Sequence, residues 1–173
     1  MLERVRAVAP AGLVPLAWTF ATAAHLEVIS VRTTLIGHTI MATLLLAFAV
    51  LSWRDMATGV LRRWRTVVLL GAGLTVLGIW GLVTSPVWVP ALQTTVAGWM
   101  ALPAVALWAT GRRVETAASV YRLAAVVGAV GTVLYVAWAT LPGPPALAVA
   151  GFLFTGLGQT AGILAAVRYH RPT

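Results

Sequence analysis

The chain has 173 residues, of which 60% are hydrophobic and 9% charged, and its mean hydropathy is +0.92. A soluble domain of this length carries about a quarter charged residues to keep its surface in water, so an ordinary water-soluble globule is excluded. With no cysteine in the sequence, disulfide scaffolds, thiolate zinc sites and thiol nucleophiles are excluded as well. The formal charge of +8 would suggest nucleic acid in a soluble chain. In so apolar a chain it asks instead which side of a bilayer holds the arginines, and no nucleic-acid partner is expected.

A hydrocarbon core of about 30 Å needs roughly 20 mainly apolar residues in a helix. Six such runs follow one another, at about 9–28, 34–53, 66–83, 88–110, 120–140 and 146–167. They are apolar all round and lack the alternation of a barrel strand, so the expected fold is an all-α integral membrane protein with six transmembrane helices in one domain. The first run has a second reading: MLERVR, an apolar stretch and Ala21-Thr-Ala23 resemble a secretory signal with a small-residue cleavage site. The apolar run continues past Ala23, which favours a retained span.

The connections fall into two classes. Segments 53–65 and 111–122, with the two tails, hold Arg4, Arg6, Arg54, Arg62, Arg63, Arg65, Arg112, Arg113, Arg122, Arg168 and Arg171, eleven of the twelve arginines. The other three turns, around EVISVR, SPVW and LPGPP, contain only Arg32. Arginine bias in short loops sets orientation, so both termini and both arginine-rich turns are expected in the cytoplasm, with three helical hairpins hanging from that side of a prokaryotic cell membrane. Within 53–65, Met56, Val60 and Trp64 recur every four residues and arginines flank them, the pattern of a segment lying in the interface. Arg54, Arg62, Arg63, Arg65, Arg112 and Arg113 are accordingly expected to meet anionic lipid headgroups.

Gly71-Ala-x-x-Thr-Val-Leu77 in the third run recurs as Gly128-Ala-x-x-Thr-Val-Leu134 in the fifth, which is compatible with a parallel repeat of hairpins. The glycines of the third, fifth and sixth runs suit close helix contact. Such faces also suit a subunit of a larger membrane complex or a homo-oligomer. Pro103, inside the fourth run, removes one backbone hydrogen bond and should kink the helix.

Polar side chains at membrane depth are costly and mark functional sites by default. Counted at 1.5 Å per residue, His25 and Glu27 lie at the outer end of the first span, His38 one turn inside the second, Gln93 at similar depth in the fourth and Tyr135 in the fifth. Inward-pointing, these would form one outer-half pocket for a small solute or ion, or a proton relay. Gln159 is deeper and stands apart. His25 and His38 could alternatively ligate haem or another metal, with Glu27 as a third ligand, or hydrogen-bond a quinone. There is no HExxH, GxSxG or phosphate-binding glycine loop, and three of the four acids, Glu3, Asp55 and Glu115, fall on the cytoplasmic side. A paired-carboxylate enzyme is not expected.

Overall fold

The computed structural model describes residues 2–169, with the backbone alone for 2–11; Arg171 of the expected cytoplasmic tail lies outside the described residues. Six α-helices account for almost all of it: α1 (Leu2–His25), α2 (Val31–Leu51), α3 (Gly59–Val83), α4 (Val89–Gly111), α5 (Ala118–Thr140) and α6 (Ala146–Tyr169). There is no strand among the described residues. Helices α2 to α6 are each long and apolar enough to cross a membrane.

Local chemistry sets the ends. Ser30 starts α2 by accepting the Thr33 amide at 3.1 Å, which satisfies one orphan donor of the first turn. Before it, Glu27 takes a left-handed backbone conformation (φ 57°). The Thr84 hydroxyl joins α3 to α4, donating to the Gly81 carbonyl at 2.8 Å and accepting the Trp88 amide at 3.0 Å. Pro90 sits in the first turn of α4, where its missing N–H costs nothing. Four helices start earlier than the apolar runs suggested, most of all α1 at Leu2 and α3 at Gly59, because charged residues end a hydrophobic run without ending a helix.

The neighbours run α2, α3, α4, α5, α6, α1, with the closest packing between α5 and α6. Helix α1 therefore packs chiefly on α6 and α2 on α3, and α1 and α2 meet where the Phe20 ring covers Gly37. Between α5 and α6 the backbones nearly touch: a Cβ on Gly131 would stand 2.6 Å from the Gly151 carbonyl oxygen, and one on Gly158 2.5 Å from that of Ala124. Only glycine permits this approach.

Two clusters form the core. At the arginine-rich end Leu107, Tyr121, Ala124, Ala125 and Ala165 pack together with Trp64 beside them. Toward the other end Met100, Tyr135, Ala148 and Phe152 do the same, flanked by Trp18, Ala21, Val96, Ala97 and Trp138. Met56 is buried and Trp64 partly so, so these two members of the expected interfacial stripe turn into the bundle. The outside is apolar, with Leu16, Ile40, Leu44, Val105, Leu123 and Leu157 among many exposed side chains. An apolar core inside an apolar exterior is the arrangement of a helix bundle solvated by lipid. Most threonines donate to the carbonyl four residues back, as Thr75 does to Gly71 and Thr132 to Gly128, keeping hydroxyls satisfied without water. Thr155 Oγ1, packed against Gly131, is the one fully buried side-chain oxygen or nitrogen without a hydrogen-bond partner among the described residues.

Candidate functional site

The polar residues expected to form one layer divide between two places. His25, the last residue of α1, inserts its imidazole among aromatic rings of α5 and α6. Its ring centroid lies 4.4 Å from that of Trp138, 5.4 Å from Phe152 and 6.2 Å from Tyr135, all edge-on. Tyr135 itself is 5.5 Å from Phe152 and 5.7 Å from Trp138. Edge-to-face packing at these spacings is favourable. No hydrogen bond from His25 or the Tyr135 hydroxyl is found among the described residues. Gln93 of α4, half-buried, lies on the same helical face as Val96, Ala97 and Met100, which pack on this cluster.

His38 occupies a separate niche on α2, against α3 and α4. Its Nδ1 bonds the Thr34 carbonyl at 3.0 Å. A carbonyl only accepts, so Nδ1 carries the proton and Nε2 of the neutral ring keeps its lone pair. No partner for Nε2 occurs among the described residues. The ring rests on Gly78: a Cβ there would lie 2.9 Å from its Cδ2, 3.1 Å from Nε2 and 3.1 Å from Cγ2 of Thr95. The Thr95 hydroxyl is turned away, donating to Leu74 and Ala91 carbonyls at 2.9 Å each. His38 thus offers a fixed, half-buried acceptor, the orientation in which imidazoles ligate or accept protons.

The structure therefore brings together His25 and Tyr135, sets Gln93 on the facing stripe of α4, and leaves His38 apart. No hydrogen bond or ring contact joins His38 to His25, Tyr135 or Gln93 among the described residues. Glu27 is exposed in the α1–α2 turn and makes no ion pair with Arg32 among the described residues. No group of three metal-ligating side chains occurs there either.

Gln159 is the polar residue whose importance the sequence hid. It is 6% exposed, and it joins three helices: its Oε1 accepts Trp18 Nε1–H of α1 at 3.0 Å, and its Nε2 donates to the Trp99 carbonyl of α4 at 3.1 Å. Trp99 is four residues before Pro103, which has no N–H to give it. The proline orphans that carbonyl and Gln159 satisfies it. The Trp99 indole in turn donates to the Thr75 hydroxyl of α3 at 3.1 Å, so one connected set of hydrogen bonds runs from α1 through α6 and α4 to α3. The available signal was the pairing of a mid-span proline with the one deep amide side chain.

At the arginine-rich end, two guanidiniums serve helix ends. Arg63 Nη1 donates to the Ala109 carbonyl in the last turn of α4 at 3.2 Å, and Arg65 Nη1 donates to the Trp53 carbonyl just past α2 at 3.3 Å, with its guanidinium 4.4 Å from the Trp53 ring centroid. Both place positive charge where unpaired carbonyls accumulate. Compared with known protein families, curated proteins and solved structures, the chain matches none.

Proposed function

We propose that this is a multi-pass protein of a prokaryotic cytoplasmic membrane that binds or transfers a small solute or ion, with protons linked, at the outer end of its bundle. In this reading α1 is the sixth span, and the three short turns face outward. The termini and the turns 52–58 and 112–117 face the cytoplasm, where arginine belongs. The observation that carries the reading is His38: an imidazole held at membrane depth through Nδ1, with an Nε2 lone pair that no protein group uses. An acceptor held at membrane depth without a partner is unfavourable, and a solute donor or a proton in transit supplies the partner. His25 in its ring box is the second titratable group of this end.

The test uses the proton as probe. Purified protein in proteoliposomes containing a pH-sensitive dye is expected to dissipate an imposed pH gradient faster than empty vesicles, and His38→Ala to abolish the difference. His25→Phe, which keeps an aromatic ring in the box, separates titration from packing. Wild-type vesicles indistinguishable from empty ones, or His38→Ala vesicles as active as wild type, would sink the proposal.

A second reading, a structural subunit of a larger membrane complex, is supported by α2. Only 11% of its most apolar stretch is buried, against 28–39% in α3 to α6. Purification in mild detergent as a lone monodisperse monomer would count against it. The placement of the two histidines gives no support to one haem or metal shared between them, and a purified protein without a Soret band is expected.

A further inference from the structure

Three arginines, two from the start of α3 and one from the α4–α5 turn, converge on a cleft of about 270 Å³, formed by Ala57, Thr58, Gly59, Arg62, Arg63 and Arg113. Topology requires arginine on this side of the bundle, but it does not require residues some fifty positions apart to line one cavity. The guanidiniums of Arg62 and Arg113 make no ion pair or hydrogen bond among the described residues, and Arg63 uses Nη1 on Ala109 and retains its other donors. The acids of the same two connections, Asp55 and Glu115, form no ion pair with them among the described residues. Like charges gathered without a counter-charge repel one another, and a cleft between them is where an anion relieves that repulsion.

The backbone adds donors to the same cleft. Thr58 precedes α3 in an extended conformation and its side chain caps nothing. Gly59 follows with φ +60°, a conformation other residues adopt only with strain. The first hydrogen bond of the helix is Arg62 N–H to the Thr58 carbonyl at 3.2 Å, so the amides of Gly59, Val60 and Leu61 precede any intrahelical acceptor.

We propose that this cleft binds a phosphate group, held by the guanidiniums of Arg62, Arg63 and Arg113 and by the free amides at the start of α3. Planar guanidinium donors match phosphate oxygens in pairs. The apolar stretch of α3 begins near Thr66, so Gly59 lies roughly 10 Å outside it at 1.5 Å per residue, which is headgroup depth. The phosphate of an anionic phospholipid reaches that depth directly, and a free phosphate or phosphorylated solute reaches it from the aqueous side. This site is independent of His38.

Thermal unfolding of the full-length protein in an uncharged detergent tests the proposal, with short-chain phosphatidylglycerol in one arm and inorganic phosphate in the other. Saturable stabilisation is expected, and Arg62→Gln with Arg113→Gln should weaken it by about tenfold or more. The lysine pair Arg62→Lys with Arg113→Lys, which keeps charge but not paired geometry, should fall between. Saturation by the lipid alone supports the lipid source, and saturation by inorganic phosphate with displacement of the lipid supports the free one. Arg122→Gln removes one charge from the same end outside the cleft and should leave affinity unchanged. Absence of saturable stabilisation in both arms would overturn the proposal, as would an Arg122→Gln loss equal to that of Arg62→Gln.

Discussion

Replacing Gln159 by leucine tests whether one side chain repairs the backbone defect that Pro103 creates. The substitution removes two hydrogen bonds, from Trp18 Nε1 and to the Trp99 carbonyl, and strands both groups in an interior without water. An unpaired buried carbonyl costs about 1–3 kcal/mol, whereas hydrogen bonds between membrane helices average only about 0.6 kcal/mol and reach about 1.7. The expected loss for Gln159→Leu is therefore about 1–3 kcal/mol. In a Pro103→Ala background the new N–H at 103 reaches the Trp99 carbonyl within α4, and only the Trp18 bond remains for Gln159 to supply. The penalty should then fall by about half, a coupling of roughly 0.5–1.5 kcal/mol in a double-mutant cycle. Reversible unfolding in mixed micelles, followed by far-UV circular dichroism so that altered tryptophan surroundings do not intrude, measures all four corners. An equal Gln159→Leu penalty in both backgrounds refutes the repair argument, and so does a negligible penalty in the proline background.

Other expectations follow from close contacts. Gly131→Ala drives a Cβ into Thr155 and the Gly151 carbonyl, whereas the same change at Gly128 meets only Ala104 Cβ at 3.5 Å; overpacking of about 1–3 kcal/mol is expected at 131 and little at 128, read from the same unfolding curves. Gly78→Ala pushes against Cδ2 and Nε2 of His38 and should reduce proton flux in proteoliposomes as His38→Ala does, while Gly73→Ala, with nothing within 4 Å, should leave flux unchanged. Arg63→Ala removes the cation from the last turn of α4 and should cost about 0.3–1 kcal/mol at low salt, with part of that recovered by Arg63→Lys.

The helices were legible because apolar length is a one-dimensional property. Runs at 88–110, 120–140 and 146–167 anticipate α4, α5 and α6 to within two residues at each end. What the chain does not carry is each helix's neighbour. His25 and His38 stand thirteen residues apart on consecutive helices, yet α1 packs chiefly on α6 and α2 on α3, so similar depth put them in different surroundings. The heptapeptide shared by α3 and α5 makes the same point. Gly71 lies under the Trp99 ring, while Gly128 lies against the backbone of α6 at Gly158; identical residues serve a side-chain cover in one place and a backbone contact in the other.

The deep and shallow polar groups also divide by satisfaction. Gln159, Trp18, Trp99 and Thr75 form a connected set in which each polar group named has its partner. Such a set holds four helices in register. His38 Nε2 and the Tyr135 hydroxyl lack partners among the described residues. A protein that needed these side chains only for packing could replace them with leucine or phenylalanine at no polar cost. An oriented, unused lone pair beside a glycine that makes room for its ring is the geometry on which the proposed exchange of a solute or proton at His38 rests.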